Sequence, residues 1–363
     1  MKSRAKILKA FNEQLADEEI EIPPLERGQI LVKLLAAGVC GSDVHMWKGE
    51  DPRLRLPVIP GHEGVGIIDD IGGEKRTVDG ALLKPGDTVI WNRGVVCGQC
   101  RYCTVLREPS LCQQRRVYGI TVPRTEKPYL NGCYAEHIIL HPRTDIFTVP
   151  ESVNPAVLVS ASCSGATIAH AFEDLPGGLL GKMVVVQGVG PLGVYAVAFA
   201  RALGASKIIV IGGTASRLEL CRDFGATHLI NRHEGSPCDR LDRIMELTDG
   251  FGADAVIEAA GAMGAAAEGI RLVGRGGVYV SAGYSQPTGT ETLDFYRDIV
   301  SRNVRIQGVW VSDTGHLRQA VALVAAHAEL FARLVTHRFT LDRADEALGV
   351  MEKKEALKAV IVS

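Results

Sequence analysis

The order of apolar and polar residues divides the chain into two differently patterned parts. Up to about residue 180, short apolar stretches of strand length alternate with glycine- and proline-rich turns, at residues 30–40, 64–73, 84–92 and 132–140. From about residue 180, an apolar strand, a glycine turn and a helix follow one another repeatedly. The first pattern predicts a barrel-like β domain and the second a doubly wound parallel sheet, so the predicted fold class is α/β.

The closing segment of the chain is predicted to return to the β-rich domain. Residues 317–334 carry apolar positions at helical spacing, and residues 357–363 have the pattern of a final apolar strand. Neither stretch is a repeat or a separate domain. The predicted division is therefore 1–164 with 311–363 for the first domain and 165–310 for an inserted second domain, in keeping with a length of 363 residues.

The composition favours a protein that binds or converts small molecules. Lysine and arginine number 40 against 42 aspartates and glutamates, which leaves a formal net charge of -2. Such a balance gives no global field to attract nucleic acid or an acidic membrane, and no apolar run reaches membrane-spanning length. We therefore expect small-molecule partners, and neither nucleic acid nor a membrane.

Four cysteines in one short stretch are the most specific feature of the sequence. Cys97, Cys100, Cys103 and Cys112 are separated by two, two and eight residues. Four thiolates at this spacing are typical of a closed tetrahedral zinc site, which has no open position and a purely structural role. A disulfide pair or a redox C-x-x-C is the alternative, and the fourth cysteine makes both less favoured.

The total number of cysteines and the first residues of the chain indicate the cellular compartment. The total of 9 cysteines is odd, so complete pairing within one chain is impossible. Lysines interrupt the apolar residues of the opening stretch 1–15, which is not the pattern of a secretory signal. We expect a cytoplasmic protein.

A glycine-rich turn marks a nucleotide site in the second part. Gly188, Gly190, Pro191, Leu192 and Gly193 directly follow an apolar strand and open a helical stretch. Glycines there permit a tight turn and a close approach of a pyrophosphate to backbone N–H groups at the helix N-terminus. In this strand, turn and helix context the G-x-G-x-x-G pattern predicts dinucleotide binding.

The end of the second strand of this fold leaves the choice of coenzyme open. A dinucleotide fold that prefers NAD usually places Asp or Glu there to hold the ribose hydroxyls, and this chain has Gly212 instead. Thr214, Ser216 and Arg217 follow and could donate hydrogen bonds to a 2′-phosphate. Because Arg217 could equally be a solvated helix residue, NAD and NADP both remain candidates.

Three residues lie in short motifs that indicate a second metal site. Cys40 stands in C-G-S-D, His62 in G-H-E and Cys163 in C-S-G-A-T. Two thiolates and one neutral imidazole neutralise a zinc ion and leave its fourth position open, which is a catalytic arrangement. Taken singly, each residue has an ordinary explanation as a core cysteine or a satisfied polar histidine.

These motifs, the cysteine stretch and the glycine turn occur in the order shown by the zinc-dependent alcohol dehydrogenase family of the medium-chain dehydrogenase/reductase superfamily, which the chain resembles over nearly its whole length. The resemblance implies a GroES-like catalytic domain with a zinc lobe at about 95–114 and a Rossmann nucleotide-binding domain. It implies two zinc ions per chain and NAD or NADP. It also implies a homodimer or homotetramer, and residues 301–310 could supply an edge strand for that pairing.

The resemblance assigns roles to individual residues of the catalytic domain. Cys40, His62 and Cys163 are implied as the catalytic zinc ligands. Glu63 is implied as an exchanging ligand or a neighbour of the metal. Asp43 is expected to orient the imidazole of His62, because a ligand histidine needs its second ring nitrogen held.

Four more residues take roles from the same resemblance. Ser42 is implied to meet the substrate oxygen and His45 to lie at the far end of a proton relay. Thr167 is implied to pack against the nicotinamide ring. Lys358 is implied to meet the pyrophosphate.

The expected reaction is hydride transfer between an alcohol and a nicotinamide dinucleotide, with reversible carbonyl reduction. A secondary alcohol, diol or polyol is the first expectation, with Trp47 and Trp310 either walls of the pocket or core residues. A small anionic hydroxy compound is the alternative, because basic residues flank the expected cleft: Lys48, Arg53, Arg55, Arg93 and Arg116. The insertion at 118–131 is expected to edge the cleft or an oligomer contact.

Two rival functions remain open from sequence. A zinc-free reductase of the same superfamily would act on quinones or activated double bonds, and the three residues Cys40, His62 and Cys163 argue against it. A nonenzymatic, zinc-stapled nucleotide sensor would keep the cysteine stretch and the glycine turn for binding alone. Zinc content and turnover distinguish these from an alcohol oxidoreductase.

Overall fold

The computed structural model describes residues 1–150, 152–173, 175 and 177–363. They form two compact units, Met1–Ala166 with Ser312–Ser363 (unit 1) and Thr167–Val311 (unit 2). Each unit has its own sheet and its own buried apolar core. Elements are numbered below along the whole chain.

Unit 1 is built mainly of β-strands with short helices between them. Its strands are β1 (Lys2–Ile7), β2 (Ala16–Glu21), β3 (Ile30–Val39), β4 (Glu63–Ile71), β5 (Thr88–Trp91), β6 (Gly94–Val95), β7 (Arg116–Val117), β8 (His137–Leu140), β9 (Ile146–Thr148), β16 (Val335–Phe339) and β17 (Lys358–Val362). Its helices are α1 (Gly41–Trp47), α2 (Arg101–Thr104), α3 (Pro155–Leu158), α9 (Thr314–Ala326), α10 (Ala328–Ala332) and α11 (Ala344–Glu352). Single 3₁₀ turns lie at Pro109–Leu111, Val159–Ser162 and Leu341–Arg343.

The main sheet of unit 1 is centred on β3. Its order is β16-β17-β3-β4-β5-β9, and β8 also pairs with β3. Strand β3 has partners on both edges, and its side chains are buried on both faces of the sheet along almost its whole length, which explains its nearly continuous apolar sequence. The last strand, β17, pairs antiparallel with β3, so the end of the chain joins the same sheet as residues 30–39.

Unit 2 holds a six-stranded sheet in which every paired strand is parallel. Its strands are β10 (Met183–Gln187), β11 (Lys207–Gly212), β12 (His228–Asn231), β13 (Ala253–Glu258), β14 (Val273–Ser281) and β15 (Arg305–Gly308). Its helices are α4 (Ser164–Glu173, which begins in unit 1), α5 (Pro191–Ala202), α6 (Ala215–Phe224), α7 (Pro237–Leu247) and α8 (Ala265–Leu272). A π turn at Phe295–Ile299 and a 3₁₀ turn at Val300–Arg302 precede β15.

The strand order of unit 2 defines where a ligand binds in such a sheet. The order is β12-β11-β10-β13-β14-β15. Successive strands are therefore added on one side of β10 up to β12 and on its other side from β13 onward, so the strand order reverses between β10 and β13. In open α/β sheets, ligands bind outside the carboxyl ends of the strands at this switch point. The doubly wound parallel sheet predicted from the sequence is confirmed. Strand β15 forms one edge of the sheet.

Within the described part of the chain, no single helix is long and apolar enough to cross a membrane. One bent pair, Pro155–Ser162 with Ser164–Glu173, passes the test of length and composition, and most of its residues are buried in the protein.

Candidate active site

The ends of three segments bring Cys40, His62 and Cys163 together in unit 1. Cys40 follows β3 directly and begins α1, and His62 immediately precedes β4, which pairs with β3. Cys163 ends the 3₁₀ turn Val159–Ser162 and directly precedes α4. The pairing of β3 with β4 therefore brings two of the three residues together, although they are 22 positions apart.

The ligand atoms of this cluster lie at distances that suit a metal ion. The Sγ atoms of Cys40 and Cys163 are 3.9 Å apart, and one ligand atom from each of Cys40, His62, Glu63 and Cys163 lies within 4.8 Å of all the others. Two thiolates on a tetrahedral zinc are about 3.8 Å apart, given Zn–S bonds of about 2.3 Å. The buried His62 Nε2 has no hydrogen-bond partner among the described residues, so this nitrogen is available to a metal.

Asp43 faces the second ring nitrogen of His62. Its Oδ1 lies 3.2 Å from His62 Nδ1, and its Oδ2 accepts hydrogen bonds from the Cys40 N–H and the Tyr134 hydroxyl. Burial opposes ionisation of Asp43, but His62 and the Cys40 N–H together hold the pKa of this carboxyl below its usual range. The arrangement fixes the imidazole so that Nε2 points at the cluster.

Glu63 and Lys358 form a buried ion pair beside the cluster. Lys358 Nζ lies 2.5 Å from Glu63 Oε2, and the two side chains are 1% and 0% exposed. Gly38 makes room for the carboxylate, because a Cβ there would lie 2.0 Å from Glu63 Oε2. The expectation that Lys358 meets a pyrophosphate stays a prediction, and its partner in the structure is Glu63.

Arg93 is the cation nearest to the thiols. Its Nη1 donates to Cys163 Sγ at 2.5 Å, the residue is 6% exposed, and its Nε has no partner among the described residues. The pKa of Cys163 is lowered first by the hydrogen bond from Cys40 and then by the Arg93 guanidinium, while burial opposes both. Both contacts favour the thiolate of Cys163, which is the form that binds metal.

The two residues predicted to relay a proton, Ser42 and His45, lie on α1, which directly follows Cys40. Ser42 is half-buried, and its Oγ lies 3.8 Å from Cys40 Sγ. The His45 side chain is 33% exposed, and its Nδ1 lies 2.5 Å from Glu50 Oε2. One residue is therefore beside the metal cluster and the other reaches solvent.

The other predicted pocket residues divide between core and surface. Trp47 packs against the core of unit 1 and donates from Nε1 to the Glu13 carbonyl at 2.7 Å, whereas Trp310 in unit 2 is 43% exposed. Most of the basic residues predicted to flank the cleft form ion pairs or face solvent. Lys48 pairs with Glu352, Arg53 with Asp51 and Arg116 with Glu126, while Arg55 is exposed. Of the predicted basic residues, Arg93 is the one that reaches the thiols.

The four-cysteine stretch forms a second cluster in unit 1. One sulfur from each of Cys97, Cys100, Cys103 and Cys112 lies within 4.8 Å of the others, and the Cys100 sulfur is 3.5 Å from Cys103 and 3.9 Å from Cys112. Backbone N–H groups of Gln99 and Cys100 lower the pKa of the Cys97 thiol to about 6. All nine cysteines of the chain are free thiols. The geometry fits a tetrahedral zinc site without an open position.

The glycine turn lies at the carboxyl end of β10 in unit 2. A Cβ on Gly193 would lie 2.0 Å from the Gly188 carbonyl oxygen, so only glycine lets α5 begin this close to the strand. Gly190 precedes Pro191, the first residue of α5, and a Cβ on Gly190 would meet nothing within 4 Å. Open space before a helix N-terminus is the cradle that a pyrophosphate occupies in this fold. Leu192 and the buried Thr167 lie on α5 and α4.

Two features of unit 2 were missed by the sequence reasoning. Glu258 at the end of β13 is fully buried and accepts hydrogen bonds from the N–H groups of Ala260, Gly261 and Gly283. Arg232 and His233, just after β12, lie over Gly213. Glu258 carried a signal, since this glutamate directly follows the apolar run 255–257, whereas the contact of Arg232 and His233 with Gly213 joins distant positions.

Comparison with known proteins identifies the family. The model of the alcohol dehydrogenase GroES-like domain matches residues 26–151, and the model described as zinc-binding dehydrogenase matches residues 191–326. The expected fold class, a GroES-like domain plus a Rossmann nucleotide-binding domain, is confirmed.

Relatives match along the whole chain. The 5-exo-hydroxycamphor dehydrogenase of Pseudomonas putida is 34% identical over 97% of both chains, and the L-threonine 3-dehydrogenase of Bacillus subtilis is 29% identical over 95% of this chain and 94% of its own. The crystal structure of an alcohol dehydrogenase from Thermotoga maritima superposes with a TM-score of 0.97 at 47% identity, covering 100% of this chain and 99% of that chain. A zinc-binding dehydrogenase from Sinorhizobium meliloti, bound to NADP, has a TM-score of 0.87 at 26% identity and covers both chains fully. The chain therefore belongs to the zinc-dependent alcohol dehydrogenase family of the medium-chain dehydrogenase/reductase superfamily.

Proposed function

We propose that this alcohol oxidoreductase oxidises a secondary alcohol, diol or polyol, and reduces the corresponding carbonyl in the reverse direction. The observation that carries the proposal is the convergence of Cys40, His62 and Cys163 in unit 1, with a buried imidazole nitrogen that has no other partner among the described residues. Two relatives are named for 5-exo-hydroxycamphor and L-threonine, both of which carry a secondary hydroxyl.

We assign the catalytic zinc to Cys40, His62 and Cys163, with Glu63 as its neighbour. When bound, the zinc ion supplies Lewis acidity that lowers the pKa of the alcohol, and the nicotinamide ring accepts the hydride. Asp43 holds the tautomer and orientation of His62. Lys358 holds the carboxylate of Glu63 through their buried ion pair.

The proton of the alcohol leaves by a relay from Ser42 through the nicotinamide ribose to His45, and both residues lie on α1. The Ser42 hydroxyl, adjacent to the Cys40 thiol, accepts the proton of the alcohol and releases its own proton into the relay that ends at His45. His45 passes it outward, because its ring is one-third exposed and lies against the Glu50 carboxylate. Oxidation thus removes one hydride and one proton from the alcohol and leaves a carbonyl compound.

Residues of unit 2 bind the dinucleotide. The turn from Gly188 to Gly193 receives the pyrophosphate at the N-terminus of α5, and Thr167 packs against the nicotinamide ring. The end of β11, with Gly212 and the start of α6, receives the adenosine ribose.

We further propose a second zinc ion in the four-cysteine cluster, a cytoplasmic location and a homodimer or homotetramer. The free state of all nine thiols supports a reducing compartment. The edge strand Arg305–Gly308, whose residues are largely exposed, is the proposed surface for pairing between copies.

A small anionic hydroxy compound is the second candidate substrate, and Arg93 favours it. A buried guanidinium whose Nε has no partner among the described residues is costly unless a ligand or neighbour compensates it, and this one touches a proposed metal ligand. A substrate carboxylate or phosphate could accept that hydrogen bond.

The test is reduction of NAD⁺ and NADP⁺, followed by absorbance, with neutral secondary alcohols, polyols and anionic hydroxy compounds. Turnover of neutral alcohols supports the first candidate. Turnover confined to anionic compounds, with KM raised at least tenfold by Arg93→Gln and kcat changed less, replaces it by the second. Absence of turnover with two zinc ions bound and the whole panel tested contradicts both candidates.

A further inference from the structure

The end of β11 has no room for the carboxylate that marks NAD-selective folds. A Cβ on Gly212 would lie 2.4 Å and 2.8 Å from the two methyl carbons of Val189, inside the glycine turn, and 3.1 Å from Leu218. An acidic side chain at this position would have to displace a buried valine of the pyrophosphate loop. The coenzyme ribose therefore meets backbone here rather than an acceptor for its 2′-hydroxyl.

Two basic side chains lie directly over the next residue, Gly213. A Cβ built there would lie 2.8 Å from His233 Nε2 and 3.0 Å from Arg232 Nε. Both residues come from the loop after β12, the strand that neighbours β11 in the sheet. Arg217, half-buried in the first turn of α6, adds a third basic residue to the same strand end.

The loop that carries Arg232 and His233 is held in place. The Arg232 N–H donates to the Gly212 carbonyl at 2.8 Å, which ties the loop to the end of β11. The Arg240 guanidinium donates to the carbonyls of Arg232 and Gly235 and makes a two-pronged ion pair with Glu268. The backbone of this cationic loop is therefore fixed before any ligand arrives.

The acidic residue of the loop, Glu234, makes no ion pair with Arg232 or His233 among the described residues. Glu234 accepts a hydrogen bond from the Asn231 side-chain amide at 2.9 Å, and the Asn231 side-chain oxygen accepts the His233 N–H. Arg232 and His233 therefore lie over Gly213, at the strand end where a dinucleotide fold binds the 2′ position of the adenosine ribose.

We propose that Arg232 and His233 form a 2′-phosphate subsite that makes the protein selective for NADP(H) over NAD(H). The inference rests on the proposed coenzyme role of unit 2. An arginine is the expected partner of a phosphate, since its planar fork can make two parallel charge-assisted hydrogen bonds. Neither residue was among the site residues expected from the sequence.

The test measures binding rather than turnover. Kd values for NADPH and NADH are obtained from coenzyme fluorescence, and those for 2′-AMP and 5′-AMP from calorimetry, at fixed ionic strength. Variants are Arg232→Gln, His233→Gln and Gly213→Asp, which places a carboxylate between the two basic groups. The control is Arg243→Gln, an exposed arginine of unit 2 whose partner is Glu246.

The protein is expected to bind NADPH at least about tenfold more tightly than NADH, because the 2′-phosphate of NADPH gains charge-assisted hydrogen bonds that NADH cannot make. Arg232→Gln should weaken NADPH and 2′-AMP at least about tenfold and leave NADH within about twofold. Gly213→Asp should reverse the preference, and Arg243→Gln should change neither coenzyme.

Equal affinity for the two coenzymes, tighter binding of NADH, or equal weakening of both by Arg232→Gln would overturn the assignment. These outcomes are separable from failure of the proposed function. Alcohol turnover with preferred NADH removes only the 2′-phosphate subsite. Selective binding of NADPH without turnover of any alcohol removes only the substrate class and leaves the subsite standing.

Discussion

Replacing Glu258 by glutamine should weaken coenzyme binding, because this carboxylate braces the loops after β13 and β14. Its Oε1 accepts the N–H groups of Ala260 and Gly261 at 2.7 and 2.6 Å, and its Oε2 accepts that of Gly283 at 3.1 Å. The first loop lies against the glycine turn, since a Cβ on Gly188 would be 2.8 Å from the Ala259 carbonyl oxygen. The brace therefore sets one wall of the nucleotide cradle.

The expected size follows from the bonds that glutamine can keep. Its single carbonyl oxygen can still accept the N–H groups of Ala260 and Gly261, while its amide donor then faces the N–H of Gly283. One buried donor loses its acceptor, which costs about 1–3 kcal/mol. This corresponds to a Tm lower by about 2–12 °C. If at least about 1 kcal/mol of this cost weakens the complex with the coenzyme, the coenzyme Kd rises at least about fivefold.

Differential scanning calorimetry and coenzyme fluorescence titration measure the two effects on the same samples. Asp254→Ala is the control, because Asp254 accepts the backbone N–H of Met183 at the amino ends of β13 and β10, at the opposite end of these strands from Gly188. It should lower Tm and leave the coenzyme Kd unchanged. The reasoning fails if Glu258→Gln leaves the coenzyme Kd unchanged, whether or not Tm falls.

Two further substitutions test the zinc lobe and the glycine turn. Cys100→Ser should remove one zinc ion per chain and lower the thermal stability of the protein, because structural zinc binding supplies folding free energy. The matched control is Cys238→Ser, an exposed thiol outside both clusters, and unchanged zinc content in Cys100→Ser would refute the lobe assignment. Gly193→Ala should weaken coenzyme binding at least about tenfold, since its Cβ would lie 2.0 Å from the Gly188 carbonyl oxygen, whereas Gly349→Ala, which meets nothing within 4 Å, should leave it unchanged. Normal coenzyme affinity in Gly193→Ala would show that the close approach of α5 is not required.

Much of the fold and of the four-cysteine cluster could be predicted because these signals are local. The inner strands β10 and β11 of unit 2 are buried on both faces, so they appear as apolar runs followed by glycine turns and helices. Cys97 to Cys112 lie within one short stretch, so their spacing alone indicates four ligands for one ion. Cys40, His62 and Cys163 are far apart in sequence, and it was the family's motif order that connected them.

Contacts between distant positions could not be predicted. Arg93 carried no signal that separated it from the other basic residues near the expected cleft, and only the structure puts its guanidinium on Cys163. Trp47 was as plausible in a pocket wall as in the core, and it packs against the core. Arg232 and His233 meet Gly213 because β12 lies beside β11, a relation that follows from strand order and not from the residues themselves.

Zinc content together with alcohol-dependent reduction of NAD(P)⁺, in the unmodified protein and in Cys163→Ser, tests the central claim most directly. We predict two zinc ions per chain and turnover in the unmodified protein. Cys163→Ser should keep one zinc ion and its affinity for NADPH, and should lose turnover. A Cys163→Ser variant that keeps both zinc ions and its turnover would contradict the assignment of Cys40, His62 and Cys163 as the catalytic centre.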